Sequence, residues 1–452
     1  MRPHGPWRPG AAVNAVFLAI VFVAFAVAAW RQASWSAPAD DPDAQSPMEA
    51  LGLGMIDSAE GAVTLALGLI GVMGLFLGLM KVAEYGGLLR IIARVLRPLL
   101  VRLFPDVPAD HPAMGAIVMN LSANALGLGN AATPFGIRAM QELDRLNPHK
   151  GTATNAMALF LAVNTSSITL LPTGVIALRA AAGSADPAGI VPTTLVATIC
   201  STTVAIVACK LLQGRFPVPP PDPPRAAGAE PLQEEAAAPV EAPLPEDSGD
   251  AYPGWVSALV LAGVVAIVPL TLAYGDAIAP WIVPGLMVLL LGFGAARRVR
   301  VYEAFVEGAR DGFNVAVRII PYLVAILVAV GMFRASGAME LLIMPLGALT
   351  SVVGLPADAL PMALLRPLSG SGAYGIVASI IQDPAIGPDS YTGYLVSTMQ
   401  GSTETTFYVL AVYFGAVNVR RVRHALPSAL TADVAGIAAA VFICSLLYGS
   451  VG

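Results

Sequence analysis

The chain has 452 residues, 56% of them hydrophobic and only 12% charged, with 25 basic against 30 acidic side chains and a net charge of -5. Soluble domains carry about a quarter charged residues, so this composition excludes an ordinary soluble enzyme and describes an integral membrane protein spanned by helices. Nucleic-acid binding is not expected, because the acid falls in one linker and in loops and no basic patch occurs.

Residues 1–36 hold a first apolar span, longer than a secretory signal core and closed by Trp30, so it is expected to be retained. The segment after it carries Asp40, Asp41, Asp43, Glu49 and Asp57 and no base. The next span ends at Lys81 and leads into LLRIIARVLRPLL, an amphipathic stretch with Arg90, Arg94, Arg97 and Arg102. Cytoplasmic loops are enriched in Lys and Arg, which sets the acidic segment outside and the amphipathic stretch inside. Two short apolar arms, 111–126 and 131–146, then flank NLSANALGLGN and read as a re-entrant hairpin entered from the cytoplasm. Residues 152–179 cross outward through NTSSITLLP, and 190–210 return.

The Pro/Ala/Glu-rich stretch 214–252 cannot bury enough apolar surface to order itself, so it reads as a disordered cytoplasmic linker. Two linking spans are expected within 253–300, ending at Arg297, Arg298 and Arg300. The pattern then repeats. Asp311 matches Asp57, Arg334 matches Lys81, and Pro356-Ala357-Asp358 matches Pro108-Ala109-Asp110. RPLSGSGAYG marks a second hairpin at 360–381, GSTETTFYV interrupts the crossing 391–417, and a last span, 426–449, closes the chain. Charge places matching spans in opposite directions. The expectation is an all-α integral membrane fold of two inverted repeats, 55–213 and 301–452, with re-entrant hairpins, discontinuous helices and about nine spans. Its N-terminus lies in and its C-terminus out, in the inner (cytoplasmic) membrane. Arg334 and Arg366 fall on the side where bases are rare.

Unwound backbone at membrane depth is tolerated only where it is buried in protein or lines a cavity, and matched breaks in two halves are the sequence sign of a transporter core. The breaks supply the candidate solute-binding residues: Asn120, Ser122, Asn124, Asn130, Asn164, Thr165, Ser166, Arg366, Ser369, Ser371, Gln400, Ser402, Thr403 and Glu404. Their side chains offer donors and acceptors to a polar ligand, and half-helix ends add partial charge. Against this stands the ordinary behaviour of Ser and Thr in membrane helices, which bond the preceding turn or a neighbour. Glu404 is the sharpest candidate, because a carboxylate near the bilayer centre is disfavoured by roughly 3 kcal/mol and is normally paired, protonated or used. A plain ion pair with Arg366 is its structural alternative.

Cys200, Cys209 and Cys444 lie in apolar spans without CxxC spacing, and the four histidines are scattered. No disulfide framework, metal site, cofactor or phosphate-binding P-loop is expected, and no catalytic constellation points to an enzyme. The coupling ion would be Na+ or H+.

NLSANALGLGNAATPFGIRAM with NTSSITLLPT resembles spore maturation protein A. RPLSGSGAYG with GPDSYTGYLVSTMQGSTETTFYVLAVYFGAV resembles spore maturation protein B. Together they resemble a fusion of the two, within the nucleoside-recognition or Gate group. GSTE at 401–404 is similar to the GQTE of concentrative nucleoside transporters, with Ser402 in place of Gln. The resemblance implies a transport-like core that moves a nucleoside-like or other small polar metabolite, and it is compatible with a homo-oligomer. A non-transporting scaffold or regulatory subunit of the same fold is the alternative.

Overall fold

The computed structural model describes residues 9–37, 44–127, 132–166, 169–217, 251–339, 341 and 344–449. Among them every regular element is helical. The chain begins with α1 (Pro9–Ala33) and α2 (Pro47–Tyr85). A capping box opens α2: the Glu49 amide donates to Ser46 Oγ at 3.4 Å, and the Ser46 amide donates to Glu49 Oε2 at 3.0 Å. At 39 residues α2 is about 58 Å long, so it must tilt or extend well beyond a hydrocarbon core of about 30 Å. The amphipathic α3 (Leu88–Leu103) follows a left-handed Gly87. The first hairpin is α4 (Pro112–Ala125) and α5 (Thr133–Arg145). A discontinuous crossing is formed by α6 (Asn155–Ser166) and α7 (Thr173–Ala181), and α8 (Ile190–Leu212) completes the first repeat.

After α9 (Gly254–Ala296) the same series returns. The long helix is α10 (Val301–Ala335) and the short one α11 (Met344–Thr350). The second hairpin is α12 (Leu360–Leu365) and α13 (Gly370–Gln382), the broken crossing α14 (Tyr391–Ser402) and α15 (Thr406–Gly415), and the last helix α16 (Ala425–Tyr448).

The two series are inverted, and close contacts show it pair by pair. Gly54 and Ser58 of α2 meet Gly331 and Ala335 of α10, whereas Gly74 and Gly78 meet Ala309 and Phe305. In the other pair Gly189, at the start of α8, accepts from Tyr448 at the end of α16 at 2.7 Å, and Ser201 donates to the Ala432 carbonyl at 2.9 Å. The broken crossings also pair antiparallel: Ala153 with Arg421, Phe160 with Tyr413, Thr165 with Glu404 and Arg179 with Asp389. These matched pairs therefore run in opposite senses, as a two-fold axis across the helices requires.

Packing follows membrane rules. Small residues line the helix contacts: a Cβ on Gly312 would lie 2.6 Å from the Met73 carbonyl and 2.7 Å from Gly74. Phe22, Trp281, Leu289 and Phe442 are exposed on the periphery, where acyl chains are their natural surroundings, while Thr193, Thr198 and Ser201 are buried. Three helices are each long and apolar enough to cross a membrane among the described residues: Pro47–Tyr85, Ile190–Leu212 and Ala425–Tyr448.

The structure departs from the sequence expectation in two places. The two linking spans expected within 253–300 are carried on one continuous helix, α9, because a dip in hydropathy need not be a turn in the backbone. The breaks are shorter than expected: 120–125 and 164–166 lie in the last turns of α4 and α6, and 401–402 in the last turn of α14. Most of the linker, 218–250, and part of the first break, 128–131, lie outside the described residues. Arg334 and Arg366 are each explained by a partner, Arg334 by the carboxylate of Asp383 and Arg366 by the contacts given below.

Candidate functional site

Each hairpin tip is stitched to the broken helix of its own repeat by one backbone hydrogen bond, at matching positions. The Leu170 amide donates to the Ala125 carbonyl at 3.0 Å, and the Phe407 amide donates to the Pro367 carbonyl at 3.1 Å. A third bond joins the repeats where the breaks cross: the Glu404 amide donates to the Thr165 carbonyl at 2.9 Å. Helix ends leave backbone groups without intrahelical partners, and these bonds satisfy some of them inside the protein.

Two charges occupy this crossing at the helix poles that suit them. Arg366 Nη2 donates to the Gln400 carbonyl at 3.1 Å, in the last turn of α14, and Nη1 donates to Thr405 Oγ1 at 3.2 Å. Glu404 lies just before the N-terminus of α15, and its Oε2 is 3.8 Å from Arg366 Nη2. A cation at a helix C-terminus and an anion at an N-terminus are both favoured by the peptide dipoles. Their exposure differs: the Arg366 side chain is 5% accessible, that of Glu404 46%. Glu404 therefore projects from a buried seam into open space, while Thr165, Ser166, Ser402, Thr403 and Thr405 around it are buried.

Asparagines build the other side. Asn124 Nδ2 donates to Asn164 Oδ1 at 2.9 Å, and Asn164 Nδ2 donates to the Phe160 carbonyl at 2.9 Å. Tyr413 of α15 adds a hydroxyl that donates to Asn164 Oδ1 at 3.4 Å and accepts from Asn120 Nδ2 at 3.3 Å. Gly136 makes room for that ring, since a Cβ there would collide with it. The counterpart on the other side is Tyr374 of α13, whose hydroxyl donates to the Gly174 carbonyl of α7 at 2.6 Å. A tyrosine thus links each hairpin to the broken helix of the opposite repeat.

The candidate residues therefore divide by what they do. Asn124, Gln400 and Glu404 are partly accessible, Ser371 is exposed, and Arg366 stands behind Glu404. Asn120 and Asn164 are buried braces. Ser122 donates to the Val118 carbonyl, Thr165 to that of Ala162, and Ser402 and Thr403 to that of Met399. Ser166 donates to the Val163 carbonyl and to Thr202 Oγ1 at 3.0 Å. Ser369 caps α13 by accepting from the Gly372 amide at 3.0 Å. Asn130 lies outside the described residues. Sequence reasoning missed Tyr374 and Tyr413, and Asp433 is not among its candidate residues. Asp433 is 3% exposed and accepts from Thr406 Oγ1 at 2.7 Å. A lone acid in an otherwise uncharged closing span was the available signal.

Among the described residues no group of three or more His, Cys, Asp or Glu side chains is arranged to hold a metal ion. A separate open cleft of roughly 710 Å³ lies at the Arg179 end, lined by Asp57, Glu60, Thr64 and Asp383, and includes none of the crossing residues.

A comparison with known families divides along the same two repeats. A family described as nucleoside recognition, or Gate, matches residues 66–182 and 316–420, one segment in each repeat. Spore maturation protein B of Bacillus subtilis is 45% identical over 174 residues, 38% of this chain and 94% of that protein. Spore maturation protein A of the same organism is 52% identical over 149 residues, 33% of this chain and 76% of that protein. The crystal structure of the YdaH transporter of Alcanivorax borkumensis aligns over 96% of this chain and 98% of that one, at 17% identity and a TM-score of 0.41. That likeness is too distant to bear on mechanism.

Proposed function

We propose, from the premise that this chain belongs to the nucleoside-recognition (Gate) family of membrane proteins and joins a maturation-protein-A-like to a B-like repeat, that it moves a small polar solute by ion-coupled alternating access. The observation that carries this reading is the half-exposed Glu404 beside the buried Arg366, at the point where two inverted, discontinuous helices cross. A carboxylate accepts from hydroxyl and amine groups, a guanidinium donates to carbonyl and carboxylate oxygens, and Asn124 and Gln400 offer both functions. That chemistry suits a solute bearing donors and acceptors within a few ångströms of each other, as nucleosides, nucleobases and amino acids do. Rocking of one repeat against the other about this crossing would present the solute to the two sides in turn.

Reconstituted vesicles offered nucleosides, nucleobases, amino acids and small carboxylates, under Na+ and proton gradients, test the reading. At least one should accumulate, and Glu404→Gln and Asn164→Ala should each lower its uptake at least tenfold. No uptake of any of them, or uptake indifferent to both changes, sinks it. The second reading is a non-transporting scaffold, favoured by the hydroxyls of Thr165, Ser402 and Thr403, which bond their own helices. Tolerance of site substitutions with sensitivity of the Arg clusters and the linker would support it.

The orientation belongs to the same proposal: inner membrane, N-terminus in and C-terminus out. An impermeant thiol reagent applied outside intact cells should label Ser351→Cys and spare Arg94→Cys, in a background lacking the three native cysteines. The reverse pattern inverts the topology.

A further inference from the structure

Asp433 sits in the middle of α16, and no other Asp, Glu, Lys or Arg occurs in that helix. One carboxylate oxygen accepts from Thr406 Oγ1 at 2.7 Å; the other, Oδ1, is buried and has no hydrogen-bond partner among the described residues. The surroundings are packed. A Cβ on Gly436, one turn along, would lie 2.7 Å from the Thr403 methyl and 3.2 Å from Ser201 Cβ, so α16 presses against both the second break and α8.

The groups able to compensate a charge here are few. Packed against α16, α6 carries no titratable residue. α14 brings Tyr391 and Tyr394, and α15 brings Tyr408 and Tyr413. α8 brings Cys200, Cys209 and a Lys210 that donates to the Leu103 carbonyl at the helix end. α16 itself adds Cys444 and Tyr448. At the level of the break the charged groups among the described residues are Arg366 and Glu404. Arg366 lies within electrostatic reach of both carboxylates: Nη1 donates to Thr405 and Nη2 to the Gln400 carbonyl, Glu404 is 3.8 Å away, and Nε has no hydrogen-bond partner among the described residues. An ionised carboxylate with one bare oxygen in such an interior is strongly disfavoured, and a neutral carboxyl far less so.

We propose that Asp433 is the proton-binding group of this site, protonated in the arrangement described and coupled to the solute through the shared Arg366. The inference rests on the transport reading and supplies its coupling ion. A solute that engages Glu404 releases Arg366 from it. The guanidinium field then stabilises the Asp433 carboxylate, whose proton leaves through the Thr406 side of the break to water at the half-exposed Glu404. Nothing else is consumed or formed.

Infrared difference spectroscopy of the purified full-length protein, titrated from mildly acidic to mildly alkaline buffer, tests this without any solute. A band of a protonated carboxyl group should appear, be lost in Asp433→Asn, and shift in frequency without loss in Thr406→Val, which removes only the hydrogen bond. Glu404→Gln should move its titration midpoint by about one pH unit or more, since it changes a charge sharing Arg366. Both Asp433→Asn and Thr406→Val are to be accepted only if they elute as monodisperse protein. A band unchanged in Asp433→Asn, no band at any pH, or a carboxylate signal responding to Na+ instead of protons overturns the assignment. A midpoint indifferent to Glu404→Gln overturns the coupling. Absence of solute uptake with these spectra intact counts against the transport reading and leaves the proton site standing.

Discussion

The backbone amide of Glu404 and the carbonyl of Thr165, 239 positions earlier in the chain, are hydrogen bonded at 2.9 Å across the crossing of the two breaks. One residue belongs to each repeat, so this bond registers the repeats against each other at the depth where both helices are interrupted. An intact helix would have spent both groups on its own ladder. Interruption frees them to bond across the interface.

At one end of the crossing the repeats are held by a buried cation. Arg179 is fully buried, donates to Asp389 Oδ1 at 2.8 Å and to the Asp186 carbonyl at 3.1 Å, and lies over the Tyr394 ring at 4.2 Å. Asp389 also accepts from the Ala185 amide at 2.7 Å. Asp389→Asn leaves the guanidinium buried beside a neutral amide. Removing one partner of a buried pair costs several kcal/mol, and partial exposure of Asp389 reduces this to about 1–3. The thermal midpoint should fall, and a cysteine placed by Gln400→Cys should be labelled several-fold faster from that side. Unchanged labelling would show that this clasp does not control access.

Close approach of α2 and α10 depends on glycines, and a methyl group is a direct probe. Gly312→Ala places a Cβ 2.6 Å from the Met73 carbonyl, where backbone cannot yield without moving the helices apart. Gly71 has nothing within 4 Å of its Cβ position. Overpacking costs about 1–3 kcal/mol, so Gly312→Ala should lower the thermal midpoint of the purified protein clearly while Gly71→Ala leaves it unchanged or slightly raised. Equal effects would mean that the two long helices are not packed this closely.

The inverted architecture was legible because it is written in local chemistry. The Ser, Asn and Gly clusters recur in order, and Arg90, Arg94, Arg97 and Arg102 have no counterparts on α11. What was not legible depends on pairs far apart in sequence. Tyr413 and Asn164 meet across 249 positions, and Arg179 and Asp389 across 210. No local pattern announces either. Nor does composition distinguish a partly accessible polar side chain from one bonded to its own helix: Asn124 is partly accessible, whereas Ser122, two positions before it, is tied to Val118.

The loop before α16 carries a pH-dependent element. His424 is buried and neither ring nitrogen has a hydrogen-bond partner among the described residues. Burial first, then the neighbouring Arg423, push its pKa down to about 4. In the unfolded chain it titrates near 6.5. Above that value the imidazole is neutral in both states and nothing is lost. As pH falls from 6.5 towards 4 the unfolded state binds the extra proton, so stability declines by about 1.4 kcal/mol per unit, roughly 2 kcal/mol at pH 5. His424→Leu should flatten this part of the pH–stability curve. An unchanged slope would place the acid sensitivity elsewhere.

The pairing of Arg366 with Glu404 can be separated from the structural duties of the guanidinium by a double-mutant cycle. Arg366→Met removes the donors to Gln400 and Thr405 as well as the charge, so it should destabilise by about 1–3 kcal/mol. Arg366→Lys keeps the charge but cannot reproduce a fork that reaches both acceptors, so it should restore only a minor part. Glu404→Gln alone should cost little, because the carboxylate is half exposed and 3.8 Å from its partner. The double variant Arg366→Met with Glu404→Gln should recover about 1 kcal/mol or less of the summed losses, the coupling expected of a screened pair. Recovery well above that would make the ion pair a structural clamp, with Glu404 held for stability. Near-additivity would leave Glu404 free for a ligand and confine the buried role to Arg366.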